Sequence, residues 1–267
     1  MIATSPKKWV RPEGITTASN DKSVCPVCKG TGWERYISWD TADVYGEPYP
    51  CEFARHCTKC SGIKESIDKT EVPPMYREAD ITKFKFDIYQ ASNENIKKVA
   101  YSFMNKFEMW EKEKRGLYLW STTPGSGKTF LACCLGKSVM LRTSKQIRFI
   151  TAPDYISRVG DSYKRPQGAP DPTWIYRNCD LLILDDIGVQ KSGEWQEQEL
   201  FRLIDERLNN GLMTIFTSNN SVDGLKIEER TKNRIQKSTV QIHMPEESIR
   251  SKKAHEEQAD FLAKVLG

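Results

Sequence analysis

The run LYLWSTTPGSGKTF, residues 117–130, constrains the fold more than any other stretch. LYLWS fits a buried strand, TTPGSG is a glycine-containing turn, and TFLACCLGKSVMLR reads as a helix. A strand that turns through glycines into a helix aims the N–H groups of the loop and of the first helical turn at one point beyond the strand. The pattern is that of a phosphate-binding loop, G-x-x-x-x-G-K-[ST]. It makes Pro124, Gly125, Ser126, Gly127, Lys128, Thr129 and Phe130 the nucleotide-contacting candidates. Lys128 is expected to neutralise the β and γ phosphates of ATP, and Thr129 to hold Mg²⁺. One position departs from the pattern: Thr122 stands where the first glycine belongs. That glycine eases the turn out of the strand, whereas Gly125 and Gly127 let backbone approach phosphate. The site is therefore expected to survive the change.

The segments beyond the loop fix the fold class. QIRFIT (146–151), DLLILD (180–185), LMTIFTS (212–218) and STVQIHM (238–244) are apolar strand runs. Helical patterns separate them, among them EWQEQELFRLIDERLNN (194–210), LKIEERTKNRIQ and EESIRSKKAHEEQADFLAKVL. Strands alternating with helices predict an α/β fold with a parallel sheet, five strands here, covered by helices on both faces. A further helical period begins near residue 92, with Ile96, Val99, Ala100, Phe103, Phe107 and Trp110 on one face. The charged stretch 62–91, with Pro73–Pro74, reads as a linker, which places the nucleotide-binding domain at 92–267. No run approaches the ~20 apolar residues of a membrane helix. The first residues carry no apolar signal segment, so a cytoplasmic protein is expected.

LLILDDIG adds a second half to the site. A buried parallel strand ending in Asp puts that residue at the carboxyl edge of the sheet, beside the glycine loop. Asp185 is expected to bind Mg²⁺ through water, and Asp186 to orient or deprotonate an attacking water. The next strand ends in Asn219–Asn220 at the same edge, and Arg230, Arg234 and Arg250 lie downstream. An arginine beside a γ-phosphate stabilises transition-state charge, often from a neighbouring subunit.

Five of the eight cysteines lie in the first 60 residues. CPVC and CTKC are two C-x-x-C knuckles, so Cys25, Cys28, Cys57 and Cys60 make a tetrahedral Zn²⁺ set, with Cys51 and His56 as spare ligands. The stretch between the knuckles, with Trp33, Tyr36, Trp39 and Tyr45, could form a hairpin arm. The cysteine cluster, residues 25–61 of a module taken as 1–61, is below the roughly 40 residues under which a domain usually needs a metal to fold. Cys133, Cys134 and Cys179 sit in apolar contexts and are expected in the core.

PGSGKTFLA, LLILDDIGVQ, FTSNNS, ERTKNRI and ESIR, in that order over residues 73–251, resemble the AAA+ ATPases. More closely they resemble helicase loaders of the DnaC/DnaI type and their IstB-like kin. The resemblance implies an AAA+ core with a reduced C-terminal lid of about one helix, for which the residues after 218 leave room. It implies that Asn219 is the sensor 1 residue, Arg234 a finger acting in trans through self-assembly, and Arg250 sensor 2. It implies ATP hydrolysis, slowed by Asp186 where many such proteins have Glu. It also implies a DnaB-type replicative helicase hexamer as partner, docked through the zinc module, with single-stranded DNA gripped in the assembly. Cations beside rings suit such a grip, and Tyr163, Lys164, Lys191 and Trp195 are the candidates.

Two other readings compete. An IstB-type transposition ATPase shares the core and binds duplex DNA, and a zinc-dependent adaptor would bind nucleotide without turnover. The cysteine module and short tail favour the loader. The asparagine and arginine series would be unexplained in a small-molecule kinase.

Overall fold

The computed structural model describes residues 33–42, 48–56 and 69–266, apart from 144, 167 and 189–192. The chain divides into two compact units, Met1–Asp68 and Lys69–Gly267. In the first, β1 (Trp33–Ala42) and β2 (Pro48–His56) pair antiparallel, with a register irregularity between Ser38 and Thr41. This is the hairpin arm expected between the cysteine knuckles. Cys25, Cys28, Cys57 and Cys60 lie outside the described residues.

The second unit opens with α1 (Glu94–Asn105) and α2 (Phe107–Lys112), which break at Lys106 inside the single period read from the sequence. Then β3 (Gly116–Trp120), α3 (Lys128–Arg142), β4 (Ile147–Thr151) and α4 (Ala152–Ser162) follow. A short helix, α5 (Trp174–Asn178), falls in a proline-containing stretch with no helical period of its own. The chain continues through β5 (Leu181–Asp185), α6 (Glu194–Asn209), β6 (Met213–Ser218), α7 (Glu229–Ser238), β7 (Thr239–His243) and α8 (Ile249–Leu266). The five strands form one parallel sheet in the order β4-β5-β6-β3-β7.

Strand side chains alternate between the faces, and the core is accordingly in two halves. Leu117, Leu119, Leu181, Ile183 and Ile215 face α1 and α3, with Leu131, Leu135 and Val139 of α3 buried on them. Tyr118, Leu182, Leu184 and Phe216 face the other way, against Tyr155 and Val159 of α4 and Leu200, Leu203 and Ile204 of α6. Cys133, Cys134 and Cys179 are buried, as their apolar contexts require.

The linker reading of 62–91 needs correction from Lys69 onward. Ala79, Phe84, Phe86 and Tyr89 are buried in the first core half. Pro74 starts a 3-10 turn, Pro74–Tyr76. The carbonyl of Thr70 accepts from the Phe149 N–H of β4 at 2.7 Å. The charges of this stretch point outward while its aromatic residues, at uneven spacing, pack inward. Among the described residues no helix is long and apolar enough to cross a membrane.

Candidate nucleotide site

All five strands present their carboxyl ends on one edge of the sheet, and the strand order reverses at β3, which leaves a crevice there. The glycine loop crosses that crevice. Gly125 and Gly127 have φ of 78° and 92°, the left-handed region that side chains with a Cβ disfavour. A Cβ on Gly127 would also lie 2.7 Å from the Tyr89 hydroxyl. That hydroxyl donates to the Ser126 carbonyl at 2.7 Å, fixing the middle of the loop from outside. The Lys128 ammonium donates to the carbonyls of Ser121 and Thr123 and to the Ser126 hydroxyl, each at 3.2 Å. It is therefore held inside the curve of the loop. Burial lowers its pKa, and the carboxylates of Asp186, Glu246 and Asp185 oppose that shift.

Asp185 ends β5 and is buried. Its Oδ1 accepts from the Thr129 hydroxyl at 2.9 Å and from the Thr217 hydroxyl of β6. Burial pushes its pKa up to about 6, aided by the Asp186 charge and opposed by the two hydroxyls and Lys128. Among the described residues no three His, Cys, Asp or Glu side chains gather as a metal cluster. Mg²⁺ does not need one, since it is commonly bound through one or two carboxylates, retained waters and phosphate oxygens. A hydroxyl and a carboxylate in contact at the loop fit that donor set.

Asp186 has φ 57°, a conformation that Asp and Asn adopt more readily than other residues with a side chain. Its N–H donates to the Thr217 hydroxyl at 3.0 Å, and the Ile187 N–H to the Thr217 carbonyl at 2.9 Å. One residue of β6 thus sets the turn that separates the two carboxylates. Asn219, Asp185, Asp186, Lys128 and Arg250 all line one cleft of 630 Å³. Arg250 reaches it from the first turn of α8, where the N–H groups of Ile249 and Arg250 donate to the Gly125 carbonyl at 3.0 and 3.2 Å. A Cβ on Gly125 would come within 2.9 Å of both the Arg250 Cβ and the Ser248 Oγ.

Part of the cleft's lining is aromatic and was not legible in the sequence. Tyr76, Phe84 and Tyr89, from the stretch read as linker, line it with Phe130. Phe84 and Phe130 stack at 6.1 Å and 17°. The available signal was the aromatic clustering in FKFDIY. Pro124, Gly125, Ser126, Gly127, Lys128, Thr129 and Phe130 all border the cleft.

Residues 74–228 match the family described as IstB-like ATP binding protein, more than half of the chain. The chain belongs to the IstB-like ATP-binding family. Within this family setting, it is 26% identical over 144 residues to the replicative helicase loader DnaC of Buchnera aphidicola subsp. Baizongia pistaciae. That match takes in 53% of this chain and 58% of the relative, so the chain spans under two thirds of that protein's length. In structure it is similar to a crystal structure of the DnaC helicase loader, with TM-score 0.55, 23% identity, and coverage of 65% of this chain and 100% of that one. It is also similar to AMPPCP-bound DnaA from Aquifex aeolicus, with TM-score 0.54, 18% identity, and coverage of 72% and 57%. These likenesses show the same parallel α/β fold, built around the glycine loop.

The remaining candidates lie elsewhere. Arg234 is on α7 and pairs with Asp205 of α6 at 2.6 Å, away from the cleft-lining residues. Tyr163 and Trp195, distant in sequence, come together with ring centroids 6.2 Å apart. The Tyr163 hydroxyl donates to Glu199 at 3.1 Å, and both rings are exposed, 64% and 39%. Lys164 pairs with Asp161 at 3.1 Å. Lys191 lies outside the described residues.

Proposed function

We propose that this chain is a switch-like ATPase that loads a DnaB-type replicative helicase hexamer onto single-stranded DNA. The observation that carries the reading is the seating of Arg250 on the Gly125 carbonyl, which closes one cleft around Lys128, Asp185, Asp186 and Asn219. The charges and dipoles that one copy can bring to phosphoryl transfer to water meet there. Lys128 and the loop N–H groups bind the phosphates, and Thr129 and Asp185 would hold Mg²⁺, which neutralises charge on the β and γ oxygens. Asp186 orients the attacking water, with Asn219 beside it, and Arg250 stabilises the γ-phosphate.

Arg234, on the outside of α7, is suited to act on the site of a neighbouring copy. The two C-x-x-C knuckles would hold Zn²⁺ and make residues 1–61 the part that docks on the helicase. The relatives named as replicative helicase loaders support the loader reading.

Native mass spectrometry of the full chain with the host's hexameric helicase, with and without ATP, tests the reading. A defined complex is expected, lost when Cys25 and Cys28 are replaced by serine, and the mass of the free chain should include one zinc. No complex in either nucleotide state would sink the loader reading. The transposition ATPase would then lead, since the family takes its name from IstB, and duplex DNA would be the partner to try.

The Tyr163–Trp195 pair is the proposed contact for single-stranded DNA. Stacking contributes about 1–3 kcal/mol per base. Replacing both rings by alanine should therefore weaken binding of a labelled oligonucleotide in fluorescence anisotropy by at least about fivefold. Unchanged affinity would remove this surface from the DNA path.

A further inference from the structure

Thr122, the residue that breaks the phosphate-loop pattern, is bound by a carboxylate from the far end of the unit. Glu246 lies between β7 and α8. Its Oε1 accepts from the Thr122 N–H at 2.9 Å. Its Oε2 accepts from the Thr122 hydroxyl at 2.7 Å, the Thr123 N–H at 2.8 Å and the Ser121 hydroxyl at 3.0 Å. His243, at the end of β7, holds the carboxylate from behind, with Nε2 at 2.6 Å from Oε1. The His243 ring stacks on Trp120 at 3.9 Å and 11°. The carboxylate is thus fixed between two strand ends.

The next residue ties the same connection to another segment. Glu247 Oε1 accepts from the N–H groups of Gln90 and Ala91 at 2.8 and 3.0 Å, and its Oε2 pairs with Lys252 at 2.6 Å. Four residues beyond Glu246, the Arg250 N–H bonds Gly125. The root of α8 therefore holds the phosphate loop at two points, Glu246 at its start and Arg250 in its middle.

We infer that Glu246 is a positioning residue for nucleotide binding, a latch that fixes the loop start where the pattern's first glycine is missing and keeps Arg250 in register with the loop. Charge-assisted hydrogen bonds to backbone N–H groups are about twice as strong as neutral ones. Such bonds hold the 121–123 turn in the shape that aims Gly125–Thr129 at phosphate. The latch uses the Thr122 hydroxyl, which glycine could not supply. The inference rests on the reading of this loop as the nucleotide site.

The test is the affinity for a fluorescent ATP analogue, with thermal unfolding of the nucleotide-free protein measured beside it. Glu246→Ala should raise Kd by about tenfold, the loss of one to two net charge-assisted bonds. Glu246→Gln should do nearly the same, because either orientation of the amide sets its NH₂ against the N–H of Thr122 or of Thr123. Thr122→Val should raise Kd by about threefold alone and add nothing to Glu246→Ala, since both remove one contact. Kd within about twofold of wild type for both Glu246 variants, with only the unfolding temperature lowered, would overturn the latch and leave Glu246 a structural residue. Effects of Thr122→Val and Glu246→Ala that multiply would overturn it as well. If Glu246→Ala does not fold, Thr122→Val alone decides, and an unchanged Kd rejects the inference. Lys128→Ala separates this from the underlying reading. It should weaken binding by about ten- to a hundredfold, and if it binds as wild type does, the loop is not the nucleotide site and the latch falls with it.

Discussion

Asp186→Asn protein is expected to keep near wild-type affinity for ATP while its turnover falls by about 10²–10⁴-fold. The substitution is unusually clean because of the backbone. Asp186 sits at φ 57°, and Asn tolerates the left-handed region as readily as Asp does. The N–H bond to the Thr217 hydroxyl is made by the backbone and is retained. What is lost is the carboxylate proposed above to orient the water. Steady-state phosphate release with the helicase and single-stranded DNA present reads the effect, and nucleotide titration reads the control. Turnover within about threefold of wild type would remove Asp186 from the chemistry. Absence of turnover in the wild type under the same conditions would favour a binding-only adaptor.

Arg207→Leu is expected to destabilise the second unit by about 1–3 kcal/mol. Arg207 of α6 is 1% exposed. Its Nε donates to the Thr214 hydroxyl at 3.0 Å, and its Nη1 to the carbonyls of Tyr176 and Cys179 at 2.7 and 3.0 Å. Its Nη2 donates to the Met213 carbonyl at 2.6 Å. One guanidinium thereby joins α6 to the end of α5 and the start of β6. Two effects oppose each other. Removing a buried charge relieves desolvation, and apolar replacements of whole buried ion pairs are often neutral. Here the acceptors are backbone carbonyls, which the substitution cannot remove, so each is left buried without its charge-assisted donor. The second effect is expected to win. Urea unfolding followed by tryptophan fluorescence measures it, and a loss under about 1 kcal/mol would mean that water reaches the carbonyls.

The two residues differ in how legible they were beforehand. Asp186 stands in LLILDDIG, where a four-residue apolar run ending in two carboxylates announces a strand edge. Arg207 stands in EWQEQELFRLIDERLNN, where it reads as one more member of a polar helix face. The same contrast runs through the cleft. Lys128 and Thr129 came from a motif whose chemistry is local. The aromatic wall of Tyr76, Phe84 and Tyr89 was hidden in a charged stretch, because its rings keep neither a helical nor a strand period and pack only once α3 is there to meet them.

The sequence by itself determined the parallel α/β sheet, the strand boundaries to within a residue or two, the phosphate loop and the acidic pair. Each is set by contacts between near neighbours: side-chain period, glycine conformation, and the direction of N–H groups at a helix start. Only the tertiary structure decided which distant groups share the crevice. Arg250 meets Gly125 and Glu246 meets Thr122, 124 positions apart, while Arg234 is turned outward onto Asp205. These pairings depend on β7 lying beside β3, in a strand order that periodicity does not encode. The packing of helices on the two faces selects that order, and with it the carboxylate that stands in for a missing glycine.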